Sequence, residues 1–186
     1  SRWKDFKTLL AAAKASPGSV KFGTGGVGSA HHLAMHNIGR ITGTEWTHVP
    51  YKNGPEAIMA MMAGDIDFVA LTPEWTQMVA DGRLRLLVML SEERAAKYPD
   101  VPTMLELGVQ VYSPTFYGIV GPKGMDPAVV QALFDAYKLA IDSPQVQPVM
   151  SNFGITPKLR NPAEFRSIIQ RTAEFYKNAA QGAVLQ

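Results

Sequence analysis

The run Gly23-Thr24-Gly25-Gly26-Val27-Gly28-Ser29 (GTGGVGS) follows a short apolar stretch and precedes a helix-forming one. Where a strand hands over to a helix through such a turn, the first helical N–H groups lack partners. They point outward together with the positive end of the helix dipole. Thr24, the backbone of Gly25, Gly26, Val27 and Gly28, and the Ser29 hydroxyl are therefore candidate ligands for an anion. The run lacks the Gly-Lys-Ser/Thr ending of a nucleotide-binding loop, which argues against a triphosphate. Gly23, Gly25 and Gly28 have a dinucleotide-type spacing, but Glu45, near the place of an acidic ribose ligand, opens a strand instead of ending one. A carboxylate needs few donors and fits better. The plain alternative is a turn that merely connects strand to helix.

Two further loops should reach the same sheet edge: Val49-Pro50-Tyr51-Lys52-Asn53-Gly54 and Leu71-Thr72-Pro73-Glu74. Tyr51 can donate a hydrogen bond or wall a pocket, Lys52 can attract an acid or stand as a solvated charge, and Thr72 can cap its helix and also reach a ligand. His32 and His36 share a helical face, as zinc ligands can, but no HExxH pattern and no third ligand accompany them, so no metal is expected. Ser29 and His32 also share a face, which raises a serine hydrolase. Neither an orienting carboxylate nor an oxyanion site is visible, and His32 bonded to backbone in the packed interior explains it more simply. Trp46, Trp75 and the nine methionines read as packing.

The elements that must position these residues alternate. Trp3, Phe6, Leu9, Leu10 and Ala13 recur at helical spacing up to Ser16-Pro17-Gly18. Val20–Gly23 reads as a strand, Ser29–Ile38 as a helix with Gly39 near its end, and Thr44–Val49 as a strand ended by Pro50. Asn53-Gly54-Pro55 opens a helix with Ile58, Met61 and Met62 inward. Ile66–Leu71 is a strand, a helix runs from Thr72-Pro73 to Gly82, and the run Leu84–Leu90, apolar but for Arg85, suits a strand buried on both faces. Residues 20–90 thus read βαβαβαβ, an α/β fold with a parallel sheet, helices on both faces and right-handed crossovers. Beyond Ser91 the spacing predicts a short helix from Val101-Pro102-Thr103 to Gly108 and a long strand Gln110–Val120. Three helices follow, opened by Asp126-Pro127, Ser143-Pro144 and Asn161-Pro162. Val130, Leu133, Phe134, Tyr137 and Ile141 form the inner face of the first, and Gly154 stops the second.

Composition narrows the classes. The 186 residues are 46% hydrophobic and 18% charged, an ordinary globular balance. The net charge of +2 is spread along the chain, which argues against a nucleic-acid surface. There is no cysteine, so disulfides, thiolate metal sites and thiol nucleophiles are excluded. No apolar run is long enough to span a bilayer. The chain opens Ser1-Arg2-Trp3, without Met or an apolar leader, so either a targeting segment has been removed or the chain is a piece of something longer.

The segments GTGGVGSAHHLA, THVPYKNGPEAIMAMMAGDIDF, DGRLRLLVMLSEERAAKYPDVPTMLELG and FYGIVGPKGMDPAVV, in that order, resemble the extracytoplasmic solute-binding proteins of tripartite tricarboxylate transporters, the TctC or Bug family. The HVPYK and DVPT segments and their spacing carry most of that resemblance. It implies a two-lobed, Venus-flytrap fold of the type II periplasmic binding class, no catalytic residues and no cofactor. It also implies capture of a small carboxylate for the transporter's membrane components, in the periplasm after signal-peptide removal. Residues 1–113 would be most of the second, ligand-binding lobe. Residues 114–186 would be a return strand and helices that normally pack partly on the first lobe, whose leading part is expected to be absent.

Carried over by position, the acid-binding turn falls on Thr24, Gly25, Gly28 and Ser29, the tyrosine loop on Tyr51, and the loop after the third strand on Ala70, Leu71 and Thr72. Relatives often carry polar residues near Ala70 and Leu71, and glycine in place of Asn53; the first departure implies a less polar ligand or an altered pocket. Apolar faces lacking their cover would favour a homodimer or a partner fragment. The effector-binding domain of a LysR-type regulator, which shares this kind of fold, and a Ser/His hydrolase are the alternatives.

Overall fold

The computed structural model describes residues 3–113, 116–153, 155 and 157–180. Helix α1 (Phe6–Ala15) begins at Asp5, whose carboxylate accepts from the Thr8 N–H at 2.7 Å while the Thr8 hydroxyl accepts from the Asp5 N–H at 3.4 Å. That reciprocal box satisfies two otherwise orphaned groups. Its buried face, Phe6, Leu9 and Ala13, joins Trp3 in the main core.

Strand β1 (Lys21–Thr24), helix α2 (Ala30–Thr42), strand β2 (Thr47–Pro50), helix α3 (Gly54–Ala63) and strand β3 (Phe68–Val69) follow. The sheet is parallel, in the order β2-β1-β3. Phe22 of β1 lies opposite His48 on one side and Phe68 on the other. Because β1 is central, the chain leaves it in one direction for β2 and crosses back over it for β3. With right-handed crossovers, that puts α2 and α3 on opposite faces. Side chains of β1 alternate to match. Phe22 packs with Ala34, Met35 and Ile38 of α2, whereas a Cβ on Gly23 would meet Ile66 and Ala57 on the α3 side. Each large apolar side chain removed from water here contributes about 1.5–3 kcal/mol.

The βαβαβ order over residues 20–71 is as expected, with shifted ends. Gly39 lies inside α2, which runs on to a left-handed cap at Gly43. Of the expected inner face of α3, Ile58 is buried, Met61 half-buried and Met62 exposed.

Past Val69 the structure departs further from the expectation. After a 3₁₀ turn (Pro73–Trp75) and helix α4 (Thr76–Ala80), Leu84–Leu90 does not join the sheet. Its ladder contact is Met89 with Thr103, and the Leu90 carbonyl accepts from the Ser113 N–H at 2.7 Å. The run is apolar because Leu87, Val88 and Leu90 lean on the core; the edge strand β3 is only two residues long, too short to carry a ladder to it. Thr103–Gly108 forms successive turns, not a helix. The Thr103 and Glu106 side chains close a reciprocal box at 2.8 and 3.2 Å, but Gly108 follows before a helix can propagate.

The expected strand Gln110–Val120 pairs with no strand among the described residues, and Tyr117, Ile119 and Val120 are exposed. An extended segment without a neighbouring edge forms no ladder. Pro114, Thr115 and the expected helix stop Gly154 lie outside the described residues.

Helices α5 (Pro127–Ile141), α6 (Val146–Asn152) and α7 (Pro162–Ala179) complete the chain. Asp126 and Asn161 cap α5 and α7, as their sequences predict. No side chain of α5 or α6 is buried. Val130, Phe134, Tyr137 and Ile141 are half-buried and Leu133 is exposed. Helix α7 lies against α2, its Phe175 ring stacks 5.3 Å from Tyr112, and its Tyr176 hydroxyl is 3.0 Å from the Ser113 hydroxyl. Between the core and α5–α7 lies an open cleft of about 2260 Å³.

Candidate functional site

Ligands of open parallel sheets lie at the carboxyl ends of the strands. Here that edge centres on Thr24, the last residue of β1. Thr24 is fully buried, its Oγ1 lies 2.7 Å from His48 Nε2 and 3.1 Å from the Gly26 carbonyl, and it accepts from the Gly26 N–H at 3.2 Å. The hydroxyl has one proton, so the tautomer of His48 sets which of the two acceptors receives it.

Gly26 and Gly28 have φ of 131° and 74°, backbone that a side chain would strain. Those conformations fold the turn back on itself. The Gly28 N–H donates to His32 Nδ1 at 3.0 Å, and the Ser29 N–H donates to the Gly26 carbonyl at 3.3 Å. The Ser29 hydroxyl caps α2 by accepting from the His32 N–H at 3.3 Å. The turn's inward amides are thus occupied. The N–H groups of Gly25, Val27, Ala30 and His31 have no intramolecular acceptor among the described residues.

Behind the turn stands a row of stacked rings. Phe68, Phe22, His48 and His32 follow one another with centroid separations of 5.7, 4.9 and 4.0 Å. The first three are sheet neighbours in register; His32 comes from α2. Burial, and then the neighbouring His32, push the His48 imidazole down to about 4. Burial, and then His36, lower His32. Burial also lowers His31, partly opposed by Glu74. These rings favour the neutral form.

Tyr51 sits against the turn. Its N–H donates to the Thr24 carbonyl at 3.0 Å, its ring edge would lie 3.2 Å from a Cβ on Gly23, and its carbonyl is beside Gly26. Ala70 is buried and its N–H donates to the Gly23 carbonyl at 2.9 Å. The Leu71 carbonyl accepts from Trp75 Nε1 at 3.4 Å. The Thr72 side chain makes no cap; its hydroxyl donates to Glu74 Oε2 at 2.8 Å.

The structure therefore gathers Thr24–Ser29, Tyr51 and Ala70 at one corner. Ala70, Leu71 and Thr72 also line the large cleft, with His31, whereas Thr24–Ser29 and Tyr51 do not. Two contacts at this edge were not foreseen. His48 closes on Thr24, and Glu74 lies so near Gly54 that a Cβ there would be 2.9 Å from its carboxylate. Both contacts arise from strand order, which no local motif encodes. The His32 ring is bonded to backbone in the interior, as its helical position predicts. Ser29 is bonded to the His32 N–H and not to its ring, so no nucleophile–base pair forms. Glu45 precedes β2, at the end of the strand remote from the turn, where a ribose ligand would find no phosphate site. Among the described residues, no three His, Asp or Glu side chains gather as metal ligands.

The chain matches the family model described as "Tripartite tricarboxylate transporter family receptor" over residues 1–182. The chain belongs to this receptor family. A curated relative from Cupriavidus necator, the UPF0065 protein in the gbd 5' region, is 36% identical over 171 residues, covering 92% of this chain and 52% of that protein. Protein BugT of Bordetella pertussis is 33% identical, covering 87% of this chain and 50% of BugT. The chain thus spans about half the length of the curated relatives it matches.

Among solved structures, one described as a periplasmic transporter superposes with a TM-score of 0.86 at 28% identity, covering 99% of this chain and 62% of its own. A Rhodopseudomonas palustris protein solved with adipate gives 0.82 at 20% identity, covering 96% and 60%. MatC of the same organism, solved with malate, gives 0.74 at 19%, covering 95% and 62%. The last two likenesses are of fold alone. The α/β architecture with its parallel sheet is that of the periplasmic binding proteins of this receptor family, as the HVPYK and DVPT segments imply. The match is to receptors, not to regulator effector domains.

Proposed function

We propose that the chain forms the carboxylate-holding part of an extracytoplasmic solute-binding protein that carries a small organic acid to the membrane components of a tripartite tricarboxylate transporter. The observation that carries this reading is the set of acceptor-free amides at Gly25, Val27, Ala30 and His31, at the end of the central strand and the start of α2. A carboxylate there takes backbone donors and the positive end of the helix dipole. Thr24, Gly26, Gly28 and Ser29 hold the turn's shape, Tyr51 walls it, and Ala70, Leu71 and Thr72 form the adjoining, largely apolar side. Adipate and malate in neighbours of the same fold support a dicarboxylate. The apolar Ala70-Leu71 pair favours the member with the longer aliphatic stem.

On this reading the work is binding without catalysis or cofactor, and the compartment is the periplasm. Residues 1–113 serve as the ligand-binding lobe and 114–186 as a segment bridging to the rest of a longer receptor. The exposed apolar faces of α5–α7 then seek a partner fragment or a second copy. Isothermal titration of the chain, and of the full-length receptor, against adipate, malate and a monocarboxylate tests the proposal. Binding of a dicarboxylate by the receptor is expected. No binding of any acid by either protein would overturn it.

A further inference from the structure

We propose that His32 and His48 are positioning residues that together clamp the glycine-rich turn, and that a proton entering the His32 ring opens the clamp. His48 holds the start of the turn: its Nε2 is 2.7 Å from the Thr24 hydroxyl, which in turn bridges to both the N–H and the carbonyl of Gly26. His32 holds the end: its Nδ1 accepts the Gly28 N–H at 3.0 Å. The two rings are stacked at 4.0 Å, their planes 13° apart, so the two holds on the turn are in direct contact. With Gly26 and Gly28 held inward, the amides of Gly25, Val27, Ala30 and His31 are the ones left for a ligand. The link to ligand capture rests on the proposed function; the clamp itself does not.

The clamp requires a neutral ring at His32, whereas His48 can meet the Thr24 hydroxyl as donor or acceptor. Nδ1 of His32 accepts the Gly28 N–H only while it carries no proton. Protonation would set an N–H against an N–H and place a charge on a ring stacked face to face with another imidazole. Nothing nearby welcomes that charge. The groups facing the pair are Phe22 and Thr24 from β1, Phe68 at the end of the ring row, and His36 from α2 itself. His32 feels the charge of His36 and His48 that of His32, and among the described residues no carboxylate acts on either ring. Both rings are accordingly held below the ordinary imidazole range.

The test needs no ligand. Amide exchange at Gly28 and the imidazole resonances of His32 and His48 are followed by NMR on the ¹⁵N-labelled chain from about pH 7.5 to about pH 3.5, the range in which such rings titrate. Gly28 should lose protection, by roughly tenfold beyond the intrinsic pH trend of exchange, with the midpoint of the imidazole titration. In His32→Asn, whose side-chain oxygen accepts the Gly28 N–H but does not titrate, Gly28 should stay protected through that range. Gly28 protection that ignores the imidazole titration, or an identical acid step in His32→Asn, would overturn the proposal. Should His32→Asn not fold, the pH series on the unsubstituted chain decides alone. Coupling observed in a receptor that binds no acid would leave the clamp standing and sink only the carboxylate reading.

Discussion

The imidazole of His32, on helix α2, lies flat on that of His48, on strand β2, with ring centroids 4.0 Å apart. Burial of the two rings, and for His48 then the charge of His32, makes folding sensitive to acid. His48 titrates near 4 in the folded chain against 6.5 for a free imidazole. Between those values the unfolded chain binds more protons than the folded one, so stability falls as pH falls. The contribution is fully present above 6.5 and is lost on the way down to about 4; the lowered His32 adds with the same sign. Urea midpoints should therefore decline steadily across that window, and His48→Phe, which keeps a stacked ring without a titrating group, should flatten the decline. A flat profile in the unsubstituted chain would contradict the account. Asp5 and Glu106, held below 3.8 and 4.5 by their hydrogen bonds, add their losses as pH falls through those lower values.

Gly39→Ala opposes two effects of known size. Alanine in a helix interior should gain about 1 kcal/mol over glycine. Its Cβ, however, would lie 2.7 Å from the Thr44 carbonyl and 3.0 Å from Trp46 Nε1, and the first of these is backbone that cannot rotate away. Overpacking of this kind costs about 1–3 kcal/mol. Net destabilisation of up to about 2 kcal/mol is expected from denaturant unfolding; a stabilised variant would show that the α2 C-terminus yields.

Ser29→Ala and Asn53→Ala form a matched pair. Each removes a side chain that caps a helix, at 3.3 Å in α2 and 2.9 Å in α3. Each should lose about 1 kcal/mol of stability. Only the first lies in the turn, so only Ser29→Ala should also weaken acid binding by the full-length receptor. Equal loss of affinity in both would move the site away from the turn.

Apolar exposure on the C-terminal helices predicts association. Leu139 is 74% exposed on α5 and Val149 53% on α6, where globular surfaces usually scatter such residues singly. Sedimentation should show concentration-dependent self-association of the chain and strong binding of an apolar dye, both reduced in a Leu139→Lys, Val149→Lys double variant. A monomer at every concentration, with no dye binding, would refute this.

What was legible in the sequence is what local grammar writes. Strand, glycines and helix around Thr24–Ser29 follow in order, and Asp126, Asn161 and Asn53 cap the helices their neighbours announce. Leu84–Leu90 misled because apolarity reports burial and not the edge on which a segment lies. Gln110–Val120 misled because Tyr112 and Phe116 along an extended stretch invite a strand whether or not a partner edge is present. The bond between Thr24 and His48, and the approach of Glu74 to Gly54, depend on β1 lying between β2 and β3; a residue 24 positions away becomes a neighbour only once that order exists.

Backbone amide shifts on adding malate or adipate to the ¹⁵N-labelled chain test most directly whether the turn grips an acid. The account predicts the largest changes at Gly25, Val27, Ala30 and His31, with Gly26 and Gly28 little moved. Changes confined to the lining of the large cleft, around Leu87 and Tyr112, with these four amides still, would contradict it.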